Sequence, residues 1–188
     1  MEKAARPAPL DRDAWIRGAI AVLTEEGVDG LRVEVLAKRL GVTKGSFYWH
    51  FKDRRDLLDA VLDFWLEGRI RDIRKQTAAE AGAELAALRH TIDVYSAAKN
   101  RRGIAIEAAI RLWARQDARA ASIVEAVDAE RLSCTHRLFV ALGNTAGEAA
   151  ARSVLLYAYV FGFSMMQCGG FAMDGPGTKE WITQCIIG

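Results

Sequence analysis

The chain has 188 residues, of which 51% are hydrophobic and 27% charged, a composition typical of folded globular proteins and unlike disordered chains. A formal net charge of +2 is too small to indicate a nucleic-acid partner by itself. The prolines are confined to Pro7, Pro9 and Pro176, so the long stretch between them lacks the strongest helix breaker. With abundant alanine, this excludes a proline-punctuated β protein and predicts an all-α fold.

The cysteines and the N-terminus bear on the cellular compartment. Cys134, Cys168 and Cys185 are odd in number and widely spaced, which predicts neither a disulfide framework nor a zinc module and favours a reducing cytoplasm. The first ten residues contain no apolar run, so we expect no signal peptide. Because HExxH, GxSxG and phosphate-binding glycine motifs are absent from the sequence, we expect no catalytic site, metal or cofactor.

Helical periodicity and capping residues predict nine helices in chain order. They run over residues 11–26, 33–40, 44–50, 53–76, 84–99, 104–114, 117–142, 146–171 and 178–187. Asp11, Thr43, Asp53 and Asp117 stand at predicted N-caps, where a side-chain oxygen accepts bonds from the unpaired backbone N–H groups of the first turn. The lengths predict three short helices followed by a larger bundle.

The second and third predicted helices form a helix-turn-helix pattern. Gly41 stands where the chain must reverse sharply, and the small Ala37 allows the two helices to pack closely. We expect a core beneath them that is built from apolar side chains, namely Leu36, Leu40, Phe47 and Phe51.

Charge is concentrated around this pattern. From Lys38 to Arg55 there are six basic side chains against Asp53 alone, a local net charge of +5. Basic residues interleaved with Ser, Tyr, Trp and His are typical of a surface that binds DNA phosphates. The alternative is a solvated basic face of an ordinary helical bundle.

The segment GVTKGSFYWHFKDRRDLLDAV, which begins at Gly41, resembles the recognition-helix region of TetR-family transcriptional regulators. The resemblance covers the first third of the chain: an amphipathic first helix, a Gly-x-x-Gly connection, the second helix, and Phe-Lys-Asp before the fourth. It implies an N-terminal DNA-binding domain (residues 1–52) and a helical effector-binding and dimerisation domain (residues 53–188). It also implies that nine residues contact DNA: Arg32, Thr43, Lys44, Gly45, Ser46, Tyr48, Trp49, His50 and Lys52.

The resemblance assigns different roles to these residues. Thr43 would contact phosphate at the start of the recognition helix. Lys44 and Ser46 would face base edges in the major groove, together with Gly45, where a side chain would hold the helix off the DNA.

Residues near the end of the recognition helix would bind mainly the DNA backbone. Tyr48, His50 and Lys52 are expected to contact the backbone, Lys52 through phosphate. Trp49, bulkier than the commonest family residue, would pack against a sugar or a thymine methyl group. Arg32 replaces the small hydroxyl residue that usually caps the second helix in this family, and it either adds a phosphate contact or is simply solvated.

Residues 153–173 form an uncharged run of 21 residues. Its length makes it a transmembrane candidate, but it contains Gln167 and lacks a flanking basic cluster, which argues against a membrane span. The alternatives are a core helix and a subunit interface. Because family members dimerise through their last two long helices, we favour a homodimer interface, with Gly162 and the pair Gly169–Gly170 allowing close approach.

The predicted function is a ligand-responsive repressor that binds a palindromic operator and is released by a small, largely apolar molecule. The fourth helix, from Asp53 to about Gln76, would transmit the effector signal to the recognition helix. Candidates for lining the effector site are Trp65, Tyr95, Trp113, Phe139, Tyr157, Phe161 and Met165, each of which is otherwise an ordinary core residue. The alternative function is a helical small-molecule-binding or adaptor protein that no longer reads DNA.

Overall fold

The computed structural model describes residues 10–96, 100–166 and 176–188. Within these ranges the chain forms only α-helices and one short 3₁₀ turn, at Val28–Gly30, and contains no strand. The helices are α1 (Arg12–Glu26), α2 (Val33–Arg39), α3 (Lys44–Phe47), α4 (Arg54–Gln76), α5 (Glu84–Ser96), α6 (Arg101–Ala114), α7 (Ala118–Ala141), α8 (Ala146–Met165) and α9 (Pro176–Ile187). The prediction of an all-α fold with about nine helices is confirmed.

The chain divides into two compact units. The first unit contains Met1–Trp65 and Ile106–Ala121, and the second contains Leu66–Ala105 and Ser122–Gly188. The three helices α4, α6 and α7 each contribute residues to both units.

Aromatic packing forms the core of the first unit. The ring of Phe47 meets Trp15 edge-on at a centroid distance of 5.4 Å and stacks on Phe51 at 5.3 Å. Leu36 is fully buried in the same unit, whereas Leu40 is only partly buried. The predicted core assignments of Leu36, Phe47 and Phe51 are therefore confirmed.

The turn between α2 and α3 has the geometry that the sequence predicts. Gly41 has φ +68°, a left-handed conformation that residues with a Cβ rarely adopt. Its N–H donates to the carbonyl of Lys38 at 3.2 Å, and the N–H of Val42 donates to the carbonyl of Ala37 at 3.0 Å. These two bonds close α2 in a Schellman motif and direct the chain into α3.

Three of the four predicted N-caps are confirmed. Carboxylate oxygens of Asp11, Asp53 and Asp117 each accept a backbone N–H bond from three residues further on, at 2.6–2.9 Å. The hydroxyl of Thr43 makes no such bond, so its predicted capping role is wrong. The backbone carbonyl of Thr43 instead accepts from both the N–H and the hydroxyl of Ser46, at 3.1 and 2.7 Å.

Several helix ends differ from the predictions. Helix α3 ends at Phe47 rather than at His50. The N–H of His50 donates to the carbonyl of Phe47, three residues before it, at 2.9 Å, which is a turn and not an α-helical bond. Helix α8 ends at Met165 rather than near residue 171, since Met166 adopts an extended backbone. The remainder of that predicted helix, residues 167–171, and the predicted end of α5, residues 97–99, lie outside the described ranges.

The second unit is built around α5, α8 and α9. Leu88, Ile92, Leu156, Val160 and Ile186 are buried in one apolar cluster. A capping box starts α8: the Thr145 hydroxyl accepts from the N–H of Glu148, and the Glu148 carboxylate accepts from the N–H of Thr145.

Candidate nucleic-acid interface

The residues from Thr43 to Lys52, which we call the recognition segment, are divided by burial. Phe47 and Phe51 anchor the segment in the core. The predicted DNA contacts all reach the surface: Ser46 and His50 are half-buried, and the others are exposed, namely Arg32, Thr43, Lys44, Gly45, Tyr48, Trp49 and Lys52. The fold thus presents every candidate contact to solvent.

Two aromatic side chains of the recognition segment are strongly exposed. Trp49 is 88% exposed and Tyr48 is 55% exposed, although their neighbours Phe47 and Phe51 are buried. Large aromatic residues are enriched where a partner covers them, and a tryptophan this exposed has no packing role within the described part of the chain. The pair indicates a surface that an external partner covers.

Gly45 is not required by the interior of the protein. A Cβ placed there would have only the Thr43 hydroxyl within 4 Å, at 3.8 Å, and so would meet no steric barrier. Its φ is not in the left-handed region. A glycine that the fold does not need is what a close-approaching partner would require.

The first residue of α3 forms an ion pair with α2. The ammonium of Lys44 donates a hydrogen bond to the Glu34 carboxylate. This bond is the largest cause that lowers the pKa of Glu34 and raises the pKa of Lys44. Both groups are therefore charged at neutral pH.

The other cations of the basic segment have different partners. Arg39 pairs with Glu25 and Glu26 at the end of α1. Lys38 and Lys52 form no ion pair with any described residue. The local charge of +5 thus overstates the uncompensated charge.

Two arginines at the start of α4 are also engaged. Arg54 donates to the backbone carbonyls of Leu31 and Val28, at 2.6 and 2.7 Å, which fixes α4 to the connection before α2. Arg55 donates to Asp117 at 2.7 Å and lies 3.2 Å from the Asp59 carboxylate. These guanidinium groups bind within the first unit.

Sequence reasoning missed Glu34 as a functional candidate. Glu34 and Lys44 are ten residues apart, and no helical spacing links them, because the reversal at Gly41 lies between the two helices. The local composition contained a signal: Glu34 is the one carboxylate within α2. Only the α2–α3 geometry shows which cation it meets.

The seven candidate effector-site residues are divided between the two compact units. Trp65 and Trp113 are buried residues of the first unit. The other five belong to the second unit, where Tyr95, Phe139, Tyr157 and Phe161 pack in or against its apolar cluster, and Met165 is exposed. That these residues line an effector site stays a prediction.

Within the second unit three candidate rings surround a charged group. The guanidinium carbon of Arg131 lies 5.9, 5.9 and 5.0 Å from the ring centroids of Tyr95, Tyr157 and Phe161. Arg131 is only 1% exposed, donates to the Tyr95 hydroxyl at 3.2 Å, and pairs with Asp128. Burial also raises the pKa of Tyr157. A buried charged group therefore lies among three of the candidate rings.

A cleft of about 450 Å³ opens in the first unit. Trp113 and Leu58 line it together with charged side chains of both signs, namely Asp29, Asp53, Arg54, Arg55 and Asp117. One candidate aromatic residue thus faces a cavity, although a more polar one than the sequence led us to expect.

Neither a membrane-spanning helix nor a metal site is found in the described ranges. None of the helices there combines the length and hydropathy of a membrane span. No three His, Cys, Asp or Glu side chains in those ranges come together as a metal site. Cys134 is buried and Cys185 is exposed, while Cys168 and Gly169–Gly170 lie outside the described ranges.

Comparison with known sequences identifies relatives of the N-terminal part. Residues 16–61 match the family model described as bacterial regulatory proteins, tetR family. Over 57 residues the chain is 47% identical to the tetracycline repressor protein class C of Escherichia coli, and 51% identical to the class A repressor from transposon 1721 of the same species. Each alignment covers 30% of this chain and 26% of the relative.

Comparison with solved structures extends over almost the whole chain. A transcriptional regulator from Rhodococcus sp. Rha1 aligns with a TM-score of 0.74 at 20% identity, over 95% of this chain and 94% of that one. Salmonella enterica GusR aligns with a TM-score of 0.72 at 15% identity, over 98% and 97%. At these identities the likeness concerns the fold: the arrangement of helices is shared beyond the segment in which sequence similarity is found.

Proposed function

We propose that this chain, which belongs to the TetR family of bacterial regulatory proteins, is a ligand-responsive repressor that binds operator DNA as a homodimer. TetR-family proteins bind operator DNA and form dimers. The observation that carries the proposal is the exposure of Trp49, at 88%, two residues after the end of α3. A helix-turn-helix that keeps such a residue in solvent is suited to DNA binding. Because its proposed partner is operator DNA, the protein would act in the cytoplasm.

On DNA, α3 would enter the major groove and the flanking groups would bind the backbone. Gly45 lets α3 approach the base edges, and Thr43, freed from helix capping, offers its hydroxyl to phosphate. Lys52, which forms no ion pair with a described residue, would bind a phosphate directly. Tyr48, Trp49 and the half-buried His50 would cover sugar and phosphate atoms beside it.

The outer faces of α8 and α9 support the proposed homodimer. On α8, small and apolar exposed residues recur at helical spacing: Gly147, Ala151, Val154, Ala158 and Gly162. On α9, Trp181 is 70% exposed. A second copy of the chain would cover both faces in a four-helix bundle, placing two recognition helices about 34 Å apart, as successive major grooves require.

The effector would bind in the second unit, where Tyr95, Tyr157 and Phe161 surround Arg131. An effector releases DNA only if it binds the DNA-incompetent state more tightly. A hundredfold loss of DNA affinity needs about 2.7 kcal/mol of differential binding. By reciprocity, operator DNA must weaken effector binding by the same factor.

Fluorescence anisotropy tests the DNA-binding proposal. The wild-type protein is titrated with duplexes from the region flanking its own gene and with random duplexes, over a range of salt concentrations. We expect preferential binding to a flanking duplex. Lys52→Ala should weaken binding to all duplexes and lower the salt-dependence slope by about one unit. A folded wild-type protein that binds no duplex at low salt would favour the adaptor alternative.

A further inference from the structure

The Lys44–Glu34 ion pair has a small structural role. Both side chains are at least half exposed, and exposed ion pairs contribute little to the stability of a fold. Ala37 of α2 and Phe47 of α3 are buried, and the backbone bonds around Gly41 fix the turn between the two helices. The pair therefore joins the recognition segment to α2 without being needed for the fold.

The carboxylate of Glu34 makes Lys44 a poor phosphate ligand. A phosphate that approaches the Lys44 ammonium also approaches the negative charge of Glu34, and the two anions repel each other. Lys52, by contrast, forms no ion pair with any described residue and is available to phosphate. The two lysines of the recognition segment are thus suited to different parts of DNA.

The ion pair matches the chemistry of one base-pair edge. Lys44 retains two N–H donors beyond the one that Glu34 accepts, and the Glu34 carboxylate retains free lone pairs. In the major groove a G·C pair presents two adjacent acceptors, guanine N7 and O6, followed by the cytosine N4 donor. An A·T pair presents an acceptor, a donor and then the thymine O4 acceptor, which would face the carboxylate unfavourably.

We propose that Glu34 and Lys44 together read one G·C base pair in each operator half-site. Lys44 donates to the guanine N7 and O6 atoms, and Glu34 accepts from the cytosine amino group. The inference rests on the proposed function and adds to it a residue that determines specificity. It also gives Glu34 a second effect, since its charge lowers the affinity for DNA of any other sequence.

The test compares wild type with Glu34→Gln, which keeps the shape of the side chain and removes its charge. Duplexes are first selected from a randomised pool by the full-length wild-type protein. Affinities are then measured for the selected duplex and for duplexes in which each G·C pair is changed to A·T. Glu25→Gln is the matched control, because it removes the same charge from an ion pair with Arg39 of α2. Thermal melting verifies that all three proteins are folded.

We expect wild type and Glu25→Gln to lose about tenfold or more in affinity when one particular G·C pair is replaced. Glu34→Gln should lose most of that preference, bind random DNA more tightly, and show a steeper salt dependence by about one unit, because Lys44 becomes free to bind phosphate. An unchanged preference in Glu34→Gln, or an equal change in Glu25→Gln, would overturn the inference while leaving DNA binding intact. Failure of wild type to bind any duplex would overturn the proposed function as well.

Discussion

At the scale of single residues, the recognition segment separates positions that the fold needs from positions that it does not. Phe47 and Phe51 fill the core of the first unit, and Gly41 makes a turn that only a positive φ allows. Gly45 and Trp49 satisfy no comparable internal need. The presence of Gly45 and Trp49 is best explained by contact with a partner. Mutating them should therefore change DNA affinity without lowering the stability of the fold.

Gly45→Ala should separate the effect on stability from the effect on DNA affinity most clearly. The added methyl group meets open space and alanine is the better helix former, so the free energy of unfolding should be unchanged or rise by up to about 1 kcal/mol. The same methyl group would meet DNA, so affinity for the selected duplex should fall at least tenfold. Denaturant unfolding and anisotropy measure the two effects.

Gly18→Ala is the matched control for that substitution. Gly18 lies in α1, outside the recognition segment, and its Cβ would be 3.0 Å from a methyl carbon of Leu40, so that side chain must shift while affinity for the selected duplex should be unchanged. If Gly45→Ala retained full DNA affinity, the proposed close approach of α3 to the bases would be incorrect.

The sequence predicts only in part which residues of the recognition segment the fold needs and which it leaves for a partner. The burial of Phe47 follows from helical spacing, and the conformation of Gly41 follows from the length of the turn. The partner of Lys44 could not be predicted, because it depends on how α2 and α3 are placed in space. The capping role of Thr43 was mispredicted because the residue type shows only that the side chain could accept a hydrogen bond. In the structure the backbone carbonyl of Thr43, and not its hydroxyl, accepts the bonds from Ser46.

At the scale of elements, the residues at which helices begin were the most predictable feature. The least predictable was which buried aromatic residues share a core. Aspartates before α1, α4 and α7 cap their helices because a carboxylate near free N–H groups is favourable wherever it occurs. Periodicity showed that Trp65 and Tyr95 face inward, but it cannot show which core a residue joins. The structure assigns them to different units, and so divides the expected effector-site set.

Asp117 provides a test at this scale, because it caps α7 and also accepts from Arg55. Asp117→Ala should lower the free energy of unfolding by about 1–2 kcal/mol at pH 7. Asp117→Asn retains a capping oxygen and should cost less, since the pair with the half-exposed Arg55 contributes at most about 1 kcal/mol. Urea unfolding of the three proteins distinguishes the two roles.

The difference in the free energy of unfolding between wild type and Asp117→Ala should depend on pH in one direction. The N–H of Ala120 is the main cause that lowers the pKa of Asp117 in the folded state. Its stabilisation is therefore complete above the unfolded pKa, about 3.9, and is lost as the pH falls through the lower folded value. The gap between wild type and Asp117→Ala should narrow below about pH 4. A gap that widened on acidification would contradict this role.

At the scale of the whole molecule, the proposal depends on two copies acting together. Val154→Asp places a charge in the exposed stripe of α8 and should produce folded monomers with much weaker DNA binding, because one recognition helix alone makes half the contacts. Leu112→Asp, at an exposed apolar position of α6 in the first unit, is the control and should remain dimeric. Sedimentation velocity and circular dichroism measure assembly and folding. A dimeric Val154→Asp protein would place the interface elsewhere.

Hydroxyl-radical footprinting of the region flanking the gene shows whether a dimer of this protein binds an operator through two α3 helices. If a dimer reads DNA through two α3 helices, the wild-type protein should protect an inverted repeat on one face of the duplex. The centres of the two half-sites should lie about one helical turn, 10–10.5 base pairs, apart or at a multiple of that spacing. Uniform protection without a repeat, or no protection by folded protein at low salt, would contradict operator binding by a dimer.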